Sequence, residues 1–313
     1  MTRHGAPPAA RRAAPQARRA GIRPLRLTWE GIEQRRDRLY RRTSQLRVTS
    51  VEEALAFVNQ VGFCFAFAAQ RSELPCLWHA VCGERNPQMP EHIQHDWSIG
   101  LVWEAKDVLA AEKKIYYGKA LRSRPTMISL EYFPYFASTR GVTGEAADYL
   151  HAHRRGHLSP GAKRIMDALV ERSPRITREL KEASRLASPA QRYEFDRAMA
   201  ELQMKLYVVK VAELYEPFTF VWDLVGRRFA AELQTAQEIE PQQARTKVLE
   251  KYFSTVLVSW PGHIARLFDW ELCDIRQALA ELHAQGKVIE VEIAGESRSY
   301  LLSATWEEGE VSQ

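Results

Sequence analysis

Two clusters of imidazole side chains are the first candidates for chemistry in this sequence, because histidine is a common zinc ligand. The first cluster consists of His92 and His95 with the adjacent Asp96, and the second consists of His151, His153 and His157. Their neighbours are polar, and no surrounding pattern supplies the groups that orient metal-bound imidazoles. We therefore expect ordinary surface histidines, no metal site and no cofactor.

The carboxyl group of Glu131 is a candidate general acid, since it lies in the apolar and aromatic segment Ser129-Leu-Glu-Tyr-Phe. Apolar surroundings help a carboxyl group to keep the proton that it would deliver to a leaving group. The alternative is a structural role, with Glu131 as the buried partner of an arginine.

The composition limits the class of protein. With 313 residues, 45% of them hydrophobic, the chain can build two or three domains with their own cores. No apolar stretch approaches the roughly 20 residues that cross a bilayer, and the N-terminus lacks the apolar run of a signal peptide. Four cysteines without a Cys-x-x-Cys pair argue against a disulfide framework. We expect a monomer in the cytoplasm, associated with the nucleoid and not with a membrane.

The positive charge is concentrated at the N-terminus. The net charge at pH 7 is +5, yet residues 1–28 contain seven arginines and no acid, so the rest of the chain is slightly acidic. A segment rich in alanine, proline and arginine cannot form a core, and we predict that residues 1–28 are disordered. Such an arm could add non-specific affinity for phosphates, or it could be an extension without a function.

An internal repeat predicts the organisation of the C-terminal half. The segment Ala198-Met-Ala-Glu-Leu202 recurs as Ala278-Leu-Ala-Glu-Leu282, and strand-forming residues follow it in both places. Periodicity around each copy predicts three helices and a β-hairpin, once in residues 159–226 and once in residues 227–305. This is the winged-helix pattern, in which the third helix enters the major groove and the hairpin lies along the backbone. We therefore predict an α+β fold, mainly helical, with tandem winged-helix domains and a tail over residues 306–313.

Polar side chains beside the apolar stripes of these units, or on their hairpins, are candidate DNA contacts. Arginine and glutamine suit base edges, and lysine suits phosphates. The candidates are Arg175, Arg178, Gln191, Arg192, Arg197 and Lys210 in the first unit and His263, Arg266, Arg276, Gln277, Lys287 and Arg298 in the second. Acidic residues share these helices, and many winged helices bind protein, so a protein partner is the alternative. The balance favours double-stranded DNA.

Residues 29–158 are predicted to form a helical N-terminal domain with a weaker winged-helix signal. Ser50-Val-Glu-Glu53 is a capping box that begins a helix, and Ala54-Leu-Ala-Phe-Val58 faintly echoes the later repeat. The sequence also predicts a basic helix over residues 103–124, whose lysines and arginines could follow a phosphate backbone while Tyr116 and Tyr117 stack on a base. The alternative is a solvated face over buried tyrosines.

Three stretches together resemble the AlkZ/YcaQ-like family of winged-helix DNA glycosylases. They read Ser50-Val-Glu-Glu-Ala-Leu, ARTKVLEKYFSTVLVSWPGHIARLF and AELQMKLYVVKV, and the resemblance covers residues 29–305. It implies three winged helices stacked into a concave surface that grips damaged duplex DNA. It also implies the release of alkylated or crosslinked bases.

The family's chemistry centres on a Gln-hydrophobic-Gln or Gln-hydrophobic-Asp motif that follows the helix beginning after Ser50. Gln60 and Val61 match its first two positions, and Gly62 replaces the polar third. A shift of one residue would instead align Asn59 with the first position and Val61 with the third. In either register one polar group is missing, which favours a non-catalytic DNA-binding protein as the alternative function.

The resemblance makes Gln60 and Asn59 candidate catalytic residues. Hydrolysis of an N-glycosidic bond passes through an oxocarbenium-like sugar, and carboxamide oxygens can orient the attacking water below C1′. A cationic leaving base needs no acid, whereas a neutral base would require one, for which Glu131 is the candidate.

Overall fold

The structure is a computed structural model that describes residues 26–69, 72–145 and 147–306. Within these ranges no helix is long and apolar enough to cross a membrane. Most of the arm predicted over residues 1–28 lies outside the described residues, as does most of the tail predicted over residues 306–313.

The prediction of disorder is wrong for residues 26–28. Arg26–Leu27 form strand β1, and Leu27 is buried. The hydroxyl of Thr28 accepts a hydrogen bond from the backbone N–H of Gly31 and so caps helix α1 (Trp29–Leu39). The burial of Leu27 and the helix cap formed by Thr28 therefore hold the end of the arm against the folded protein.

The described chain contains three similar arrangements of helices and strands, which we call the first repeat (residues 51–129), the middle repeat (residues 160–224) and the last repeat (residues 241–303). The first repeat supplies the helix that carries the candidate catalytic residues. Its elements are α2 (Val51–Val61), β2 (Phe63–Phe65), α3 (Leu77–Cys82), α4 (Trp97–Ala111), β3 (Ile115–Leu121) and β4 (Arg124–Ser129). The strands form an antiparallel sheet in the order β2-β4-β3. The hydroxyl of Ser50 accepts from the backbone N–H of Glu53, which confirms the predicted start of α2.

The helix predicted over residues 103–124 is wrong beyond residue 111. Ile115-Tyr116-Tyr117 are β-branched or aromatic and pair with β4, so this stretch is a buried strand. The ring of Tyr116 stacks on Phe133 at 5.0 Å between centroids. Neither tyrosine can stack on a base, and the basic residues of this stretch do not share a helix face.

Two helices, α5 (Phe133–Arg140) and α6 (Asp148–Arg154), lead to the middle repeat. Its elements are α7 (Pro160–Glu171), β5 (Arg175–Ile176), α8 (Thr177–Ala183), α9 (Arg192–Met204), β6 (Val208–Tyr215) and β7 (Phe218–Leu224). The sheet has the order β5-β7-β6, so the strands are arranged as in the first repeat.

The last repeat follows α10 (Val225–Arg228) and α11 (Ala230–Gln237). Its elements are α12 (Pro241–Val256), β8 (Val258–Ser259), α13 (Pro261–Phe268), α14 (Leu272–Ala284), β9 (Val288–Ile293) and β10 (Ser299–Ser303). The strand order β8-β10-β9 is again that of the first repeat, and β1 adds a parallel strand beside β9. The predicted α+β fold is confirmed, and the order of helices and strands in each repeat is consistent with winged-helix units.

The first repeat and the helices of the last repeat share one apolar core, and most of the middle repeat has a second. The sheet of the last repeat forms a third core with Leu27 and Ile32. The ring of Phe63 meets Phe136 at 5.1 Å and Phe268 at 5.9 Å, which joins β2, α5 and α13. This packing brings α12 of the last repeat against the end of α2 in the first. The four cysteines are free thiols.

Candidate active site and nucleic-acid interface

The C-terminal end of α2 presents two carboxamides to solvent. Phe57, Val58 and Val61 are buried, so Asn59 and Gln60 remain on the exposed face of the helix. Both candidate catalytic side chains are therefore accessible to a DNA strand.

Gln60 lies between two cations that come from distant parts of the chain. Nη2 of Arg41, which follows α1, donates to Oε1 of Gln60 at 3.2 Å. Nζ of Lys251, in α12, donates to the backbone oxygen of Gln60 at 2.6 Å. The hydrogen bond from Arg41 orients the carboxamide, and the two positive charges suit a phosphate.

Gly62 ends α2 in a conformation that L side chains rarely adopt, with φ 78° and ψ −44°. Its N–H donates to the carbonyl of Val58 at 2.8 Å, which closes the helix. A Cβ at residue 62 would lie 2.9 Å from Cγ of Lys251 and 3.2 Å from Cδ2 of Tyr132. The side chain of Lys251 thus fills the space that a third motif side chain would need.

Glu131 is exposed in the turn between β4 and α5, so the alternative that it is a buried partner of an arginine is wrong. The turn carries the carboxylate out of the aromatic segment, while the adjacent Tyr132 packs inward. Burial lowers the pKa of Lys251 and the charge of Lys247 lowers it further, whereas Glu131 raises it. Burial also raises the pKa of Tyr132 to about 12, and the negative charge of Glu131 adds to this rise.

The fold brings Gln60 and Glu131 to the same lysine, although they lie in different elements. A carboxamide oxygen can orient a water, a carboxylate can take a proton, and an amine with a lowered pKa can act as a nucleophile. All three kinds of group lie at one accessible surface.

Sequence reasoning missed Lys251 and Arg41. Lys251 lies within the stretch ARTKVLEKYF that carried the family resemblance, but it received no role. Lys247 and Lys251 are four residues apart and therefore lie on one side of α12. This spacing was the sequence feature that could have drawn attention to Lys251. Helical periodicity cannot identify the surface lysine that faces α2.

Eight of the candidate DNA contacts are exposed and can reach a ligand. They are Arg178, Arg192, Arg197, Arg266, Arg276, Gln277, Lys287 and Arg298. The side chain of Arg192 is 81% exposed. Lys287 pairs with Glu250 at 2.8 Å. Gln191 is half-buried, and its Oε1 accepts from the hydroxyl of Ser188 at 2.8 Å.

Three of the candidates are buried, which is a correction to the sequence analysis. Nε of Arg175 donates to the carbonyls of Ala168 and Arg172 at 3.0 and 2.8 Å. The imidazole of His263 meets Glu73 at 2.7 Å. These side chains are used for hydrogen bonds inside the protein, because the strand or helix that carries each of them turns it towards the core.

Lys210 is the third buried candidate. Its ammonium lies 4.9 Å from the ring centroid of Tyr117 and pairs with Asp107 at 3.4 Å and with Glu213. It cannot act as a phosphate contact on the hairpin.

The histidine clusters have structural contacts. Oδ1 of Asp96 accepts from the backbone N–H groups of Ser98 and Ile99 at 2.9 and 3.0 Å and so caps α4. Nδ1 of His153 lies 2.9 Å from the carbonyl oxygen of Leu158. Among the described residues, no three His, Cys, Asp or Glu side chains are grouped to hold a metal ion.

Comparison with known proteins relates this architecture to a family. The chain resembles the solved structure of the DNA glycosylase AlkZ from Streptomyces sahachiroi with a TM-score of 0.55 and 13% sequence identity, over 89% of this chain and 70% of that chain. At this identity the likeness shows the fold alone. No curated protein sequence matches the chain. Residues 48–268 match the family described as AlkZ related, and since this is more than half of the 313 residues, the chain belongs to the AlkZ-related family.

Proposed function

We propose that the chain binds damaged double-stranded DNA and hydrolyses the N-glycosidic bond of an alkylated or crosslinked base. The observation that carries this proposal is the exposed carboxamide of Gln60, oriented by Arg41 at 3.2 Å and flanked by Lys251, whose amine donates to the backbone oxygen of Gln60. The activity named for the related AlkZ of Streptomyces sahachiroi supports the same reaction class.

Gln60 would act by holding a water below C1′ of the extruded nucleotide. One lone pair of its Oε1 accepts from Arg41, and the second is free for a water. Asn59 is exposed beside it and offers a further carboxamide. A cationic alkylated base leaves without a proton, which suits this site because Glu131, the candidate acid, is exposed to solvent and not enclosed by apolar groups.

The exposed arginines of α9 and α14 would contact DNA, with Arg192 and Arg276 as the principal candidates. Residues 29–158, 159–226 and 227–305 would act as three modules along one duplex, and the arginines of the N-terminal arm would add phosphate contacts. The protein would work as a cytoplasmic monomer on the nucleoid.

The direct test measures base release from duplexes that carry N7-alkylguanine, N3-alkyladenine or an interstrand crosslink. The protein is present in excess over the DNA, so that a single turnover is observed. We expect release of the damaged base. Gln60→Ala should slow release about 10²-fold without changing affinity, since one transition-state partner is lost. Gln234→Ala, an exposed glutamine of α11, is the matched control and should leave the rate unchanged.

A second candidate function is non-catalytic binding of damaged DNA. It is favoured by Gly62, which offers no polar side chain where the family motif has one. Measurable binding of the damaged duplexes without base release would select this function over the first.

A further inference from the structure

Lys251 reaches the surface through the space that Gly62 leaves open. Its Cγ and Cε lie 2.9 and 3.0 Å from the position that a Cβ of residue 62 would take. Beyond them, Nζ donates to the backbone oxygen of Gln60 at 2.6 Å. A primary amine therefore lies beside the exposed carboxamide on which the proposed function depends.

The surroundings of this amine are unlike those of an ordinary surface lysine. Its hydrogen-bond acceptor is a neutral carbonyl, and Nζ lies 5.6 Å from the ring centroid of Tyr132. Burial lowers the pKa of Lys251, and Lys247 lowers it further against the opposing effect of Glu131. Partly desolvated lysines near a second cation are well suited to attack carbonyl carbons.

We infer from this geometry that Lys251 forms a covalent imine with the aldehyde carbon of an abasic site in duplex DNA, and that the imine leads to strand cleavage. The inference rests on the proposed function, because base excision leaves a sugar whose ring-opened form carries an aldehyde at C1′. The substrate class is duplex DNA with one such sugar.

The reaction needs no oxidant or further co-reactant. The neutral amine adds to C1′, and a proton moves from nitrogen to oxygen. A further proton from solvent then lets the hydroxyl group leave as water, which gives a protonated imine. A base then takes a proton from C2′, and the exposed carboxylate of Glu131 is our candidate for it. The electrons of that C–H bond form a C1′=C2′ double bond while the C=N pair moves onto nitrogen, which gives an enamine. The nitrogen pair then restores the imine, the C1′=C2′ electrons shift to form C2′=C3′, and the C3′–O bond breaks so that the 3′ phosphate leaves with its electron pair. Water finally hydrolyses the imine and returns the amine of Lys251.

Gly62 and Gln60 together hold the amine of Lys251 in position. Any side chain at residue 62 would displace the methylenes of Lys251, and the carbonyl of Gln60 fixes the amine at the end of α2. A lysine that served only as a phosphate contact could be replaced by arginine without loss. The imine cannot form on a guanidinium, and this difference separates the two roles.

The test uses the full chain and a labelled duplex that already contains one abasic site, with sodium borohydride to reduce the imine. We expect a stable one-to-one covalent complex, whose peptide map places the adduct on Lys251. Lys251→Arg should abolish the complex while it still binds the duplex. Lys163→Ala, a partly exposed lysine of the middle repeat, is the control and should keep the complex.

Several outcomes would overturn the inference: no complex despite binding, a complex retained in Lys251→Arg, or an adduct mapped to another residue. The peptide map of the wild-type protein identifies the modified residue even if a variant folds poorly. Base release from alkylated duplexes without a trapped complex would refute the lyase step and leave the proposed function standing. A complex on Lys251 without base release would support the lyase step and contradict base excision.

Discussion

Lys251 packs against Gly62 so closely that a Cβ at residue 62 would lie 2.9 Å from Cγ of the lysine. The glycine has φ 78°, so a side chain there meets both a backbone penalty and a clash. The contact links the end of α2 in the first repeat to α12 in the last.

We expect Gly62→Ala to lower the free energy of unfolding by at least about 2 kcal/mol, because backbone strain and the clash with Lys251 add. The control is Gly141→Ala, where φ is 63° but nothing lies within 4 Å of the added Cβ. That variant should lose about 1 kcal/mol, from strain alone. Urea denaturation of both variants measures the difference, and equal losses would show that Lys251 moves aside at no cost.

We expect Arg192→Ala and Arg276→Ala to weaken duplex binding without lowering the melting temperature, since both side chains are exposed. Arg175→Ala is the contrasting variant. Its guanidinium is buried and donates to two backbone carbonyls, so its loss should cost about 2–3 kcal/mol of stability. If Arg192→Ala instead lowered the melting temperature and left affinity unchanged, its role would be structural.

Affinity for duplex DNA should fall steeply with salt, because lysines and arginines that meet phosphates release counterions. A plot of log affinity against log salt should have a slope of about −0.9 per phosphate contact. Deleting residues 1–25 should weaken binding and leave the melting temperature unchanged, since the deletion spares β1 and the cap at Thr28. Binding that disappears with the arm alone would show that the winged helices are not the DNA surface.

The stability of the protein should depend on Lys210 above pH 8. Burial lowers the pKa of Lys210 from 10.5 to about 8, with a further contribution from Lys106. Below pH 8 the folded and unfolded chains both hold the proton, and the folded state bears the full cost of the buried charge. Between pH 8 and 10.5 the folded state releases the proton first, so this cost is relieved as the pH rises.

The measurement compares the wild type with Lys210→Met, which cannot titrate, by denaturation at several pH values. The stability of the wild type relative to Lys210→Met should rise across that interval, by at most about 1.4 kcal/mol per pH unit. A difference that stays constant with pH would mean that Lys210 keeps its proton in the folded protein throughout.

The sequence by itself determined the units of the fold. The stripe of Phe195, Met199 and Leu202 has helical spacing, and all three residues are buried in the middle repeat. Ser50 marks the start of a helix where the structure has it. These features depend on neighbours within a few residues, so they can be predicted from the sequence alone.

The tertiary structure decided the composition of the candidate site. Ile115–Leu121 is a strand because β4 pairs with it, although the basic residues around it suggested a helix. Arg175 and Lys210 turned out to be buried, and Glu131 exposed, according to the direction in which each element faces its neighbours. Lys251 lies beside Gln60 because the first and last repeats share one core. Contacts between residues so far apart in sequence leave no local periodicity, which is why the sequence alone could not identify this lysine.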